Sequence, residues 1–413
     1  MLSSYRILDL TTERGLLCGQ ILGDLGADVI KVEPPGGSPA RRLGPFYHDQ
    51  PHPDRSLLWW AYNRNKRSIT LDITTSEGKD LLCRLAANAH FLIESDNPGA
   101  MAQLGLGYND LAELNPGLIY LSISAFGQDG PKASYTDSDL VIMAASGPLI
   151  LTGDSDRAPL RLSVPQAYLH ACAEGAAAAL LANHERHHSD RGQHIDVSAQ
   201  QAVALATQAY ILSAPYGEVE IQRMAGGIKV GPINIRLLWP AKDGYVAITY
   251  LFGTAFGHFT KRLMDWIHEE GMCDDETHAM DWVRFGGELF AGGEAIAKFE
   301  RLKQIVEDFT TTKTKAELLQ GALERTLLIA PISTIDEVVD SPQLAERLYW
   351  QELEHPELEQ KFKYPGPFVK FSETPITYRR RPPLVGEHNR EIYVDELGLT
   401  EAQLQELQRK GVV

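Results

Sequence analysis

The stretch Tyr5 to Glu33, YRILDLTTERGLLCGQILGDLGADVIKVE, decides the fold. Tyr5 to Leu10 reads as a strand, Leu16 to Leu25 sets apolar residues on one face at helical spacing, and Asp28 to Val32 reads as the next strand. Two parallel strands need a crossover, and the helix between them supplies it. The breaker run PPGGSP, Pro34 to Pro39, closes the unit. Working outward, the alternation continues with a strand over Ser68 to Leu71, a helix over Glu77 to Ala87, and strands over His90 to Ile93 and Gly117 to Ser122. The expectation is an α/β fold, a parallel sheet covered by helices.

Farther along, the Ala-rich segment Ala167 to Ala182 predicts a helix packed closely against other backbone, because small side chains permit close approach. It leads through the turn DRGQ into a strand over His194 to Val197, then a helical stretch QQAVALATQAYIL that runs toward a break at Gly226 and Gly227. From about Val230 to Ala330, the strand-like GYVAITY and charged amphipathic helices suggest a separate, smaller domain. The run YRRRPPL reads as extended, and a last helix is expected over Glu401 to Arg409.

The chain has 413 residues, more than one hydrophobic core ordinarily organises, and 44% of them are hydrophobic, so a large core is expected. The formal net charge of −16 opposes nonspecific attraction to nucleic acid or anionic membrane. No apolar run approaches the roughly 20 residues of a membrane-spanning helix. Cys18, Cys83, Cys172 and Cys273 show no Cys-x-x-Cys spacing, and MLSSYRILDL lacks a secretion pattern, so a reduced, cytoplasmic setting is expected.

The common chemical signatures are absent: no GxGxxG after the first strand, no Walker loop, no GxSxG and no HExxH. His184, His187 and His188 in HERHH share a helix face at metal-ligand spacing, yet lack a carboxylate or Cys-rich context, so no metal is expected. Lys66 and Arg67 in NRNKRSITLD stand where two cations beside backbone N–H groups can hold a phosphate, and a solvated turn fits the same residues. Arg41 and Arg42 form a second pair with the same two readings.

ILGDLGADVIKVEPPGG, NRNKRSITLD with SEGKDLL after it, LGLGYNDLAELNPGLIYLSISAFGQDGP, RGQHIDVS, DGYVAI and PLVGEHNREI together resemble the class III (CaiB/BaiF) CoA-transferases, which include formyl-CoA and carnitine CoA-transferases and the methylacyl-CoA racemases. The resemblance spans nearly the whole chain. It implies a Rossmann-like large domain formed by residues 1–225 and a return segment 331–413, a smaller α+β domain over 226–330, and two subunits threaded through each other. It also implies CoA and acyl-CoA as substrates, with Lys66, Arg67 and Arg41 as CoA-binding candidates.

Chemistry in this family begins with an Asp carboxylate, ionised at neutral pH, that attacks the acyl-CoA thioester. The resemblance places that Asp just before the small-residue helix, in a segment that here reads VPQAYLHACAEGAAAALL, and the position is Tyr168. A phenol with an ordinary pKa of about 10 does not reproduce carboxylate anhydride chemistry. Asp139 and Glu174 are the nearby carboxylates, and neither occupies the nucleophile's position. Other departures accumulate: Pro34 and Pro35 where a basic residue is common, ERGLL from Glu13 to Leu17 in place of Ala-Gly-Pro, Ser95 for Asn, and Gln103 for Arg. Ser138 stands where the racemase branch has a His. Each lost cation removes about 1.5 to 3 kcal/mol of charge-assisted bonding to phosphate.

Three readings follow. The first is the non-catalytic subunit of a heteromeric CoA-transferase, as in the two-subunit benzylsuccinate enzymes, with an Asp-bearing homologue as partner and CoA bound there. The second is an active interlocked homodimer using Asp139 or Glu174. The third is a non-enzymatic protein that binds small carboxylates.

Overall fold

The computed structural model describes residues 1–217, 223–230 and 233–413. Its centre is a six-stranded sheet built from β1 (Arg6–Asp9), β2 (Asp28–Glu33), β3 (Lys66–Thr70), β4 (Phe91–Glu94), β5 (Ile119–Ser124) and β6 (His194–Ser198), in the order β3-β2-β1-β4-β5-β6. Every pairing is parallel, with Ile7 beside Val29 on one side and Phe91 on the other. Helix α1 (Leu16–Asp24) is the crossover between β1 and β2.

Central strands of a sheet covered on both faces are apolar throughout. In β1, Ile7 packs into a core with Val29, Phe91, Ile93 and Leu121, whereas its neighbour Leu8 joins Ile30, Ile69, Leu92 and Tyr120 on the opposite face. The first face is closed by α1 and by a later helix over Ala167–Ser189, which contributes Ala171, Cys172, Ala176 and Ala179. The second is closed by α2 (Ser76–Ala86) and by the chain's end, through Ile392, Tyr393, Leu404 and Val412.

By contact density the chain forms two compact units. The first comprises Met1–Pro148, Leu162–Leu212 and Ala345–Val413. The second comprises Leu149–Arg161 and Ser213–Leu344, with a three-stranded antiparallel sheet (Leu238–Ala241, Gly244–Ile248 and Ile329–Pro331) and a core that includes Trp239, Tyr250, Met264, Trp282 and Phe299.

Three of the elements that differ from the sequence expectation have a local cause. The fifth strand begins at Ile119, because Leu118 N–H bonds back to the Asn115 carbonyl in a turn. The Ala-rich helix continues through HERHH to Ser189 and stops where Asp190 turns left-handed, at φ 56°. The stretch Gln200 to Leu212 forms two helices, Ala199–Leu205 and Gln208–Tyr216, parted where the Thr207 hydroxyl bonds the Ala204 carbonyl.

Candidate functional site

The strand order reverses direction between β1 and β4, and ligands of open α/β sheets bind at such a switch point, outside the carboxyl ends of the strands. The loops leaving β1, β4 and β5 converge there and deliver Arg14, Asn97, and Gln128 with Asp137, respectively. Thr12 N–H donates to Ser95 Oγ at 2.9 Å, which ties the first loop to the second.

Beneath them lies a buried charge cluster. Asp9, the last residue of β1, accepts from Lys66 Nζ at 2.8 Å and Lys31 Nζ at 3.1 Å, all three fully enclosed. Burial by itself would raise the Asp9 carboxyl, but the two ammonium groups outweigh it and hold the pKa well below the usual range.

Above this floor are two cavities. One, of about 380 Å³, is mostly apolar, with Leu16, Leu17, Leu58, Tyr62, Leu169 and Cys172 in its wall. The other, of about 460 Å³, is lined by Asn97, Ser124, Gln128, Ser134 and Thr136 among others. Arg14 and Asp137 line both. The Arg14 guanidinium lies 3.1 Å from Asp137 and 3.4 Å from Asn97 Oδ1. It also sits 5.8 Å from the centre of the Tyr168 ring. Tyr168 Oη donates to Asp137 Oδ1 at 2.9 Å. Burial raises the phenol's pKa further above its ordinary value, opposed by Arg14 and reinforced by Asp137, so Tyr168 remains neutral at physiological pH. Its chemistry in this arrangement is hydrogen-bond donation. Burial likewise pushes the Cys172 thiol up to about 12, which leaves it without thiolate character.

The two weaker candidates have other roles or places. Asp139 Oδ1 accepts from the backbone N–H of Gln166 at 2.6 Å and of Ala167 at 2.9 Å, which caps the Ala167–Ser189 helix from a distance. Glu174 is exposed on that helix and does not line the cavity. Ser138, at the racemase His position, caps the helix Asp139–Ala145.

The cations expected to hold CoA are also engaged internally. Lys66 is fully buried and donates to Asp9, to the Leu16 carbonyl and to Asn63. Arg67 pairs with Asp28, Glu391 and Glu396. Arg41 pairs with Glu33 at 2.6 Å and Asp54 at 2.8 Å, and lies 3.7 Å over the Trp59 ring. The strands converge on these side chains from both sides, so their charge organises the protein rather than facing solvent. Arg42, Pro34, Pro35 and Gln103 are exposed, and Ser95 is buried. In HERHH, His187 bonds Tyr5 Oη at 2.9 Å and His188 bonds its own helix; among the described residues no His, Cys, Asp or Glu group is arranged to hold a metal.

Sequence reasoning missed Arg14, Asp137 and Gln128 as site residues. Arg14 sits inside ERGLL, recognised only as a departure, and Asp137 stands 31 residues from Tyr168, so their meeting depends on tertiary structure. A third cavity, of about 330 Å³, is lined by Glu94, Tyr108, Ser122, Gln128 and His194. Burial raises the Glu94 carboxyl to about 7. His194 bonds Ser122 Oγ at 2.9 Å and stacks on Tyr108.

Residues 2–389 match the model of CoA-transferase family III. The chain belongs to that family. Membership brings CoA thioesters as the substrates around which such sites are built. The chain is 32% identical to the succinyl-CoA:(R)-benzylsuccinate CoA-transferase subunit BbsE of Thauera aromatica, a match that covers 100% of this chain and 98% of that one. It is also 32% identical to the succinyl-CoA–D-citramalate CoA-transferase of Chloroflexus aurantiacus, with the same coverage. The formyl-CoA:oxalate CoA-transferase of Streptomyces avermitilis is 29% identical across 100% of this chain and 99% of its own length. Among solved structures, a CaiB/BaiF family protein of Brucella suis superposes with a TM-score of 0.80 at 28% identity, covering 95% of this chain and 98% of its own. A protein of Mycobacterium tuberculosis gives 0.71 at 27% identity, covering 95% and 99%. The family and the mixed α/β fold with its parallel six-stranded sheet are thus as the sequence indicated. Among the described residues no helix is long and apolar enough to cross a membrane.

Proposed function

We propose that this chain is the non-catalytic subunit of a heteromeric class III CoA-transferase that moves CoA between an acyl-CoA and a carboxylic acid. The observation that carries the reading is Tyr168: at the position where the family resemblance puts the nucleophile, a neutral phenol donates to Asp137. Asp139 borders the apolar cavity with its Oδ1 engaged at a helix terminus, and Glu174 lies outside that cavity, which favours a carboxylate supplied by the partner.

In this reading the Asp-bearing homologue performs the group transfer. Its carboxylate attacks the thioester carbonyl, CoA thiolate leaves, and a mixed anhydride forms; the thiolate then attacks the anhydride, releasing the first acid and leaving CoA on the enzyme carboxyl. Attack by the second acid and return of the thiolate complete the exchange. This chain contributes an interlocked partner in the cytoplasm, with Met1–Pro148, Leu162–Leu212 and Ala345–Val413 as its large domain and Leu149–Arg161 with Ser213–Leu344 as its small one. That a relative is itself named as a subunit supports the division of labour. The test is co-production with an Asp-bearing homologue: the pair transfers CoA and the isolated chain does not. Turnover by the pure chain at the rate of the pair overturns the proposal.

A second reading rests on Asp137, a carboxylate that borders both cavities. An autonomous homodimeric transferase would use it as nucleophile. Incubation with an acyl-CoA followed by peptide mass spectrometry would then find CoA on Asp137, and an unmodified peptide rejects that route.

A further inference from the structure

Among the described residues four carboxyl groups are buried: Asp9, Asp24, Glu33 and Glu94. Three of them face a cation, Asp9 with Lys31 and Lys66, Asp24 with Arg64, and Glu33 with Arg41. Glu94, 4% exposed at the end of β4, has no cation beside it among the described residues. A carboxylate enclosed without a counter-charge is far costlier than a carboxylic acid, so the closed structure favours the neutral form.

The surroundings of Glu94 reinforce that preference. Asp96 on its own loop and Asp196 on β6 repel a negative charge there, and Asp110 of the helix Tyr108–Leu114 borders the same cavity. Burial is the largest cause and raises the carboxyl to about 7, while the Ser122 hydroxyl and the Asp96 N–H, which bond the ionised form, oppose it. Tyr108, Tyr120 and His194 complete the titratable groups of the cavity; His194, lowered by burial, bonds Ser122 Oγ at 2.9 Å. The cations on that side, Lys31 and Arg14, act on Asp96.

Glu94 also fastens the loop that leaves β4. Asp96 N–H donates to Glu94 Oε2 at 2.7 Å, and the residues on either side of Asp96 reach the β1 loop. Ser95 Oγ accepts from Thr12 N–H at 2.9 Å and lies 3.2 Å from Thr12 Oγ1, and Asn97 Oδ1 accepts from Arg14 at 3.4 Å. The cavity of about 330 Å³ beside the carboxyl has room for the water that an ionised form requires.

We propose that Glu94 is a positioning residue for the switch point: its neutral carboxyl fastens residues 95–99 against the β1 loop, and the loop opens as that proton passes to water. Opening takes Ser95 from Thr12 and Asn97 from Arg14, so the placement of Arg14 depends on the protonation of a residue it does not touch. Once hydrated, the carboxyl returns to its ordinary value of about 4.5. Below that value both states are protonated and the closed loop is at its most stable; from there to about 7 each opening releases a proton, so opening becomes more favourable as pH rises; above 7 both states are ionised and the dependence levels off.

The experiment is amide hydrogen exchange of the full-length chain from pH 5 to pH 9, with the rates at residues 95–97 and 12–14 divided by the intrinsic rate at each pH. Opening is expected to rise about 40-fold between pH 5 and pH 7 and less than about 2-fold between pH 7.5 and pH 9. It is expected to be insensitive to low urea, as local opening of a loop exposes little surface. Glu94→Gln stays neutral and keeps an acceptor for Asp96 N–H, so its opening is expected to be independent of pH, whereas His194→Gln keeps the full dependence. A Glu94 that merely packs would change protection equally at every pH. A flat profile in the natural chain, a dependence that survives in Glu94→Gln, or one that vanishes in His194→Gln overturns the proposal, and the natural chain's profile decides alone where a variant does not fold. The loop belongs to this chain, so its opening does not depend on which subunit carries the reacting carboxylate: a flat exchange profile sinks the positioning role alone, and an inactive pair sinks the subunit reading alone.

Discussion

Replacing Asp139 separates a structural carboxylate from a nucleophile. Its Oδ1 receives two backbone N–H groups, from Gln166 at 2.6 Å and Ala167 at 2.9 Å, at the start of a helix of 23 residues. The Gln166 side chain makes no capping bond there, so Asp139 is the acceptor that the helix terminus lacks locally. Loss of a helix cap costs about 0.5 to 2 kcal/mol, and a hydrogen bond to a charged group contributes about 1.5 to 3 kcal/mol. The two descriptions overlap, so Asp139→Ala is expected to destabilise the first turn by about 2 to 4 kcal/mol. Asp139→Asn keeps an acceptor and loses only the charge beside the helix dipole, about 1 kcal/mol. Because the chain forms two compact units, a single two-state unfolding fit is not the right measure; local opening read by amide hydrogen exchange is. Amides of the first helical turn should exchange roughly 30- to 1,000-fold faster in the alanine variant and several-fold faster in the asparagine variant. Unchanged exchange in Asp139→Asn, together with loss of a covalent CoA adduct that the natural chain forms, would falsify the capping role and make Asp139 the reacting group.

Other outcomes follow from the same structure. Asp9→Ala leaves the ammonium groups of Lys31 and Lys66 buried without their carboxylate, and is expected to destabilise the protein by about 3 to 5 kcal/mol in chemical denaturation. Because the Asp9 pKa is depressed in the folded state, its contribution is complete above the ordinary carboxylate pKa of about 3.9 and is lost as pH falls below it; acid titration of melting temperature should show this loss, and a flat profile below pH 4 counts against it. Glu94 has the opposite sign: its folded pKa is raised to about 7, so its contribution is fully present below about 4.5 and declines as pH rises toward 7. Glu94→Gln should therefore melt higher than the natural chain at pH 8 and gain less at pH 5, and an equal difference at both pH values refutes the assignment. Tyr168→Phe removes the donor to Asp137 while keeping the ring under Arg14, so a stability loss of about 1 kcal/mol is expected, with no change in CoA transfer by the partnered enzyme. A large loss of transfer would show that the phenol takes part in the reaction.

Much of the fold was written in local sequence. The period of apolar residues in Tyr5 to Glu33 specified strand, helix and strand, and the observed β1, α1 and β2 lie within a residue or so of the expected spans. Such patterns are legible because each side chain's face is fixed by the periodicity of its own element. The family was legible for a related reason: its motifs are contiguous runs, and Tyr168 could be placed from its neighbours alone.

What the sequence withheld is where charges end. Lys66, Arg67 and Arg41 look like ligand-binding cations in the linear chain, yet their partners Asp9, Glu396 and Glu33 come from other strands and from the distant chain end. A cation's availability depends on every charge that the fold brings near it, and that sum is a property of tertiary structure. The same holds for Arg14, Asp137 and Gln128, which the loops leaving β1 and β5 bring to one switch point although no motif joins them. Sequence alone determined the elements, their alternation and the family; only folding decided which carboxylates cap helices, which cations are enclosed, and which side chains meet in a cavity, because those are set by distances across the sheet rather than by spacing along the chain.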